Sequence, residues 1–186
     1  MAIFAFAKKI NMKLFFKIFI LAIFFQSKSF SQIPVNHPPD RMKMLSAFNG
    51  EWKGQISEMK NKKRIKTKIS HISEKVAGGW AVQIAETANF PDKGKYMSVK
   101  IFSYSNSGDT TYMYVVDNQG TTYFYTGTWK GNKHLDLSCS AVNYKGKNVK
   151  NRVTYDFENM REYTYKYISS VSDTVETEIV MEMKKQ

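Results

Sequence analysis

Tyrosines supply the most distinctive pattern of chemistry-bearing side chains in this chain. Tyr163, Tyr165 and Tyr167 alternate with Glu162, Thr164 and Lys166, so at strand periodicity three phenols share one face. Tyr123, Tyr125 and Trp129 fall in phase on a second segment, and Tyr112 and Tyr114 on a third. Rings with hydroxyl tips, if they point into one enclosed space, suit a small amphipathic ligand: the rings give contact area and the hydroxyls orientation. The same rings could instead fill that space. Glu86 falls in phase with Trp80, Val82 and Ile84, and His71 with Ile65 and Ile69. An acid or an imidazole among apolar neighbours is placed to hold the polar head of a ligand, or to serve as acid or base, and burial would perturb the pKa of either. The simpler reading puts both at a solvated rim.

Other reactive groups argue for binding rather than catalysis. No H-E-x-x-H, G-x-S-x-G or Walker-type loop occurs. The chain has three histidines and one cysteine, with no metal-ligand spacing among them, so neither a metal nor a catalytic site is expected. Cys139 alternates with Leu135, Leu137 and Ala141, the setting of an inert buried thiol, and a lone cysteine makes no internal disulfide. Lys60, Lys62, Lys63, Arg64, Lys66 and Lys68 form a basic run. Basic grooves with aromatic platforms bind single-stranded nucleic acid, but lysines alternating along a strand also guard its outer face. The export signal described below disfavours nucleic acid and leaves an anionic envelope surface as the partner such a face would meet.

These side chains must be positioned by strands. After Gly50 the hydrophobic pattern is period two almost to the C-terminus. Ten strands are predicted, at about 51–59, 64–72, 80–89, 96–104, 110–117, 121–130, 134–143, 148–158, 162–169 and 174–184. Turn-forming runs separate many of them, among them Pro91-Asp92-Lys93-Gly94, Asp117-Asn118-Gln119-Gly120 and Lys130-Gly131-Asn132. Short links between successive strands imply an antiparallel meander. Val149, Val153, Tyr155 and Phe157 lie opposite Lys150, Arg152, Asp156 and Glu158, so one face of the sheet is dry and the other wet. The fold expected is all-β, an up-and-down antiparallel barrel, which removes exposed edges; a two-sheet sandwich fits the same pattern. One short helix precedes it, with Asp40 as N-cap, Leu45 and Phe48 at helical spacing and Gly50 as the stop.

The N-terminus reads separately. Lys8, Lys9 and Lys13 precede an apolar stretch from Leu14 to Phe25 broken only by Lys17, and no acid occurs before Asp40. This is the pattern of a secretory signal peptide, and the stretch is short against the roughly 20 residues a spanning helix needs. Ser29 and Ser31 suit cleavage after Ser31; Met12 is an alternative start. Residues 1–31 are thus expected to be a leader, 32–41 (with three of the four prolines) an extended lead-in, and 42–186 the barrel domain. The net charge of +12 falls to +7 once the five leader lysines are gone. No stable transmembrane anchor is expected after cleavage.

The run Leu45 to Gly54, LSAFNGEWKG, resembles the opening of lipocalins and other calycins, in which a short helix leads into a G-x-W signature, here Gly50-Glu51-Trp52. More closely, the chain is similar to a family of secreted bacterial lipocalin-like domains of uncharacterised function. The matching features are Gly78-Gly79-Trp80 entering the third strand, the tyrosine-rich segment Tyr112 to Asp117, and Gly127-Thr128-Trp129, over roughly residues 42 to 184. The resemblance implies that Trp52 plugs the closed end. Lipocalin-like chains often set a late arginine against that tryptophan, where this chain has Lys184 and Lys185. Haem-binding calycins use a late histidine, and none follows His134, so haem is disfavoured and no cofactor is expected.

Two functional readings follow: an exported, non-catalytic barrel that holds a small hydrophobic or amphipathic molecule, or a structural envelope protein with a filled barrel and a basic contact face. A third uses Glu86 or His71 as a catalytic acid or base.

Overall fold

The structure, a computed structural model, describes residues 40–60, 63–142 and 146–186. The proposed leader and most of the lead-in lie outside the described residues. Helix α1 (Asp40–Leu45) continues into a 3-10 turn at Ser46–Phe48 and then into ten strands: β1 (Gly50–Lys60), β2 (Lys63–Val76), β3 (Ala81–Phe90), β4 (Gly94–Ser105), β5 (Thr110–Asp117), β6 (Thr122–Lys130), β7 (His134–Val142), β8 (Asn148–Asn159), β9 (Glu162–Val171) and β10 (Thr174–Lys185). Each strand pairs antiparallel with its sequence neighbours, and β1 pairs with β10, so the sheet closes into a barrel. The meander and the barrel expected from period-two patterning and short turns are both present; the sandwich is not. Asp40 does not cap the helix. It is the first helical residue, and its carboxylate accepts a 2.7 Å bond from Lys43 Nζ.

Closure demands tight coiling, and two glycines permit it. Gly50 sits at φ +110°, a conformation that L side chains rarely adopt, where the chain swings from the 3-10 turn into β1. Gly127 lies inside β6 where a Cβ would overlap the carbonyl oxygen of Asp136 on β7.

One end of the barrel is solid. Met42, Leu45 and Phe48 drop from α1 and its 3-10 extension into that end and are fully buried. The Phe48 ring lies 5.2 Å from Phe102, 5.0 Å from Tyr155, 4.9 Å from Phe157 and 5.5 Å from Tyr163. Trp52 is fully buried beside them, its centroid 4.9 Å from Tyr163, and its indole N–H donates to the Phe48 carbonyl at 2.7 Å. The Ser73 hydroxyl donates to the same carbonyl. Lys185, the strand partner of Trp52, holds its ammonium 5.6 Å from the indole ring, so a lysine stands where the resemblance leads one to expect an arginine.

Candidate functional site

The opposite half of the interior is hollow. A cavity of about 260 Å³ opens at the end where β3 turns into β4 and β5 into β6. Its wall is apolar where Ile56, Ile69, Met113, Val115, Val153 and Met181 reach inward, and phenolic where Tyr96, Tyr123, Tyr125, Tyr165 and Tyr167 do. Glu58, Lys93 and Asp117 ring the mouth, and Lys93 Nζ lies 3.3 Å from Glu58 Oε1 across it.

The sequence-predicted residues separate into three groups. Tyr123, Tyr125, Tyr165 and Tyr167 line the cavity. Trp129 and Tyr163 also point inward but help to fill the solid end, with Trp129 stacked at 6.0 Å on Phe157. Filling and lining are therefore both true, at different heights of the barrel. Tyr112, Tyr114 and Trp80 are corrections: none faces the interior. On β5 the inward positions are Thr111, Met113 and Val115, all buried, so Tyr112 and Tyr114 lie outside, Tyr112 stacked at 5.7 Å on Phe124. Trp80 follows the 3-10 turn Ala77–Gly79 and is 38% exposed.

Glu86 and His71 are not at a solvated rim either. They are strand partners on β3 and β2, and both are buried. Glu86 is joined by Lys100 of β4, which donates from Nζ to Oε1 at 2.6 Å, and by Ser98, which donates to Oε2 at 3.0 Å. Lys100 is as deeply buried as Glu86, and its ammonium also sits 4.6 Å from the Tyr165 ring centroid. Burial alone would raise the Glu86 carboxyl, but the Lys100 ammonium, the nearby His71 and the two hydrogen bonds outweigh it and hold the pKa below the usual carboxylate range. Glu86 and Lys100 form the polar floor of the cavity.

His71 lies among the rings of the solid end, 5.7 Å from Trp52, with Nδ1 3.1 Å from the Tyr163 hydroxyl and Nε2 buried without a hydrogen-bond partner. Burial lowers its pKa to about 4, with Glu86 opposing the shift and Lys100 adding to it. The imidazole is neutral at neutral pH. Burial likewise raises the phenols of Tyr96, Tyr125, Tyr165 and Tyr167, which stay protonated as hydroxyls. Cys139 is half-buried rather than buried; desolvation raises its thiol, and Asn151 Nδ2 approaches Sγ at 3.8 Å.

Sequence reasoning missed Lys100, Ser98 and Tyr96. Hairpin arithmetic would have found the first two: counting back from the turn after Phe90 pairs Glu86 with Ser98 and Ile84 with Lys100. Of the basic run, Arg64, Lys66 and Lys68 are exposed on the outside of β2, and Lys62 lies outside the described residues.

A closed up-and-down barrel of ten strands, solid at the helix-capped end and hollow at the other with an ion pair at the floor of the hollow, defines the class of this protein. Residues 37–186 match DUF1579, a family of proteins of unknown function, and the chain belongs to it. No curated protein matches it in sequence. Among solved structures it is similar to Rv2717c from M. tuberculosis, with 12% identity, a TM-score of 0.59, and coverage of 81% of this chain and 99% of that one. It is also similar to the S-type phycobiliprotein lyase CPES from Guillardia theta, with 9% identity, a TM-score of 0.52, and coverage of 77% and 91%. At such identities the likeness is one of fold.

Proposed function

We propose that this protein is an exported, non-catalytic, lipocalin-like barrel that carries or senses one small amphipathic molecule. The observation that carries the reading is the buried Glu86–Lys100 pair at the floor of the cavity. Two charges taken out of water cost several kcal/mol in desolvation, and an apolar pair of similar volume would commonly be as stable or more so. Such a pair is better explained by a task than by stability. Glu86 already accepts from Lys100 and Ser98, whereas Lys100 has three N–H donors and gives one to Glu86. The ligand head that fits is therefore a hydrogen-bond acceptor, a carbonyl or carboxylate oxygen, received by Lys100 with neighbouring phenols. Its body lies against Ile56, Val115 and Met181. At roughly 30 Å³ for each water-sized group, the cavity takes a molecule of about nine such groups, a small metabolite rather than a long lipid.

Native mass spectrometry of the protein purified from its own host tests this. A bound adduct is expected, and it should disappear in Ile179→Trp, because Ile179 lines the cavity as the strand partner of Glu58 at the mouth and an indole there would fill it. An adduct that survives Ile179→Trp, or a bare mass together with no response to small lipophilic dyes, refutes the pocket. Export, with residues 1–31 as leader, is tested by N-terminal sequencing of the protein recovered outside the cytoplasm. A contact between the basic outer face and an anionic surface is favoured by exposed Lys53, Arg64, Lys66 and Lys68, and is tested by salt-sensitive binding to anionic vesicles.

A further inference from the structure

The outer surface of the barrel is divided. On β8, β9, β10, β1 and β2 the outward side chains are rich in charge, including Lys150, Arg152, Glu178, Glu182, Lys53 and Lys66. On β3 the outward Gln83, Ala85, Thr87 and Asn89 are uncharged, and on β4 to β6 the outward positions between Lys95 and Lys130 carry no charge among the described residues. Strand register makes this region continuous. Ile72, Ala85, Val99 and Val116 form one cross-strand row, and Ile101, Tyr114 and Phe124 the next. Met97 and Tyr112 flank them, with Tyr112 stacked on Phe124. The large apolar members, Ile72, Met97, Val99, Ile101, Tyr114, Val116 and Phe124, are each between 38% and 62% exposed.

On β4 the usual pattern is reversed: Met97, Val99 and Ile101 face out while Ser98 and Lys100 face in. A strand that faces water on its outer side has no reason to place its aliphatic side chains there. The exposed apolar area of this face is on the order of 600 Å², the top of the range for the largest patch on a monomer. With the bordering Gln83, Thr87, Thr122 and Thr126 it approaches the roughly 800 Å² per partner of a standard interface.

We propose that this face joins two copies of the chain, sheet against sheet. Charge distribution selects that occupant. The chain carries +12 overall, yet two copies meeting on the uncharged face set no like charges against one another and turn their charged faces outward. An acidic partner would be drawn to the opposite side, where the lysines are. Depletion of charge with enrichment of Tyr, Phe and Met is also the composition of interface centres.

Sedimentation equilibrium on the purified full chain, over a micromolar to sub-millimolar range, tests this. A reversible dimer is expected. Phe124→Lys and Tyr114→Lys, at exposed positions that leave the interior untouched, should each raise the dissociation constant at least about a hundredfold, with circular dichroism unchanged. Lys66→Glu, on the charged side, should leave dimerisation as it is. A monomer throughout the range overturns the proposal, as does self-association that neither Phe124→Lys nor Tyr114→Lys weakens. Flotation of a monomer with neutral phosphatidylcholine vesicles, abolished by Phe124→Lys, would give the face to a membrane and equally overturn it.

Discussion

Lowering the pH from about 7.5 to about 4.5 should cost the barrel roughly 2.5 kcal/mol through His71 alone. The imidazole has an ordinary pKa of 6.5 in the unfolded chain and about 4 in the fold, because burial penalises its charged form. Between those values the unfolded state binds the extra proton and the native state does not. Stability is therefore complete above pH 6.5 and falls as the pH drops toward 4, below which both states are protonated and the loss levels off. Asp136 is held at about 2 chiefly by the hydrogen bond from Arg152, so its stabilisation is lost at lower pH and does not obscure the window. Urea denaturation at half-unit pH steps gives the wild-type profile. His71→Gln, which keeps a hydrogen-bonding group near Tyr163 and cannot titrate, should be less stable at neutral pH but flatter by about the predicted amount. Side-chain NMR of the His71 ring supplies the second reading, a resonance that does not titrate above pH 5. Parallel wild-type and variant profiles, or a His71 ring titrating near 6.5, would refute the reasoning.

Lys100→Met should destabilise the protein by about 3–5 kcal/mol in chemical denaturation, because it leaves the Glu86 carboxylate buried with Ser98 as its remaining donor, whereas Lys100→Met combined with Glu86→Gln should recover most of that loss. Neither variant should retain a host-derived adduct in native mass spectrometry. Gly127→Ala should cost about 1–3 kcal/mol, read as a lower urea midpoint, since its methyl would overlap the Asp136 carbonyl across the β6–β7 pair. Trp52→Phe should cost about 2–4 kcal/mol by thermal unfolding, combining lost ring volume with a buried Phe48 carbonyl deprived of one of its two donors.

The architecture was legible because each strand is bounded by turn chemistry and most alternate in polarity. All ten predicted strands correspond to observed ones, with ends shifted by a few residues, as at β2, which runs on to Val76. Interior assignment was legible only where one face of a strand is polar. On β9 charged and hydroxyl residues separate the tyrosines, and Tyr163, Tyr165 and Tyr167 all point in. On β5 both faces are apolar, so alternation gives no direction; the rings of Tyr112 and Tyr114 favoured the wrong face, and Met113 and Val115 are the ones inside. On β4 the polarity is inverted, and ordinary reasoning would set Lys100 in water. The ionic floor was hidden for that reason, although Glu86 itself stood out. Glu86 and His71 looked like rim residues because one strand seen alone does not say how far it extends beyond them.

The seam between β1 and β10 joins Trp52 to Lys185 and brings the backbone N–H of Gln186 to the carbonyl of Glu51 at 3.0 Å. The wall of the barrel is thus completed by the pairing of β10 with β1. Without that pairing β1 to β10 would be an open sheet with two unpaired margins and no enclosed chamber, so the barrel depends on a long-range closure of the kind that slows folding. The chamber therefore depends on β10, and removing that strand would open the wall between β1 and β9.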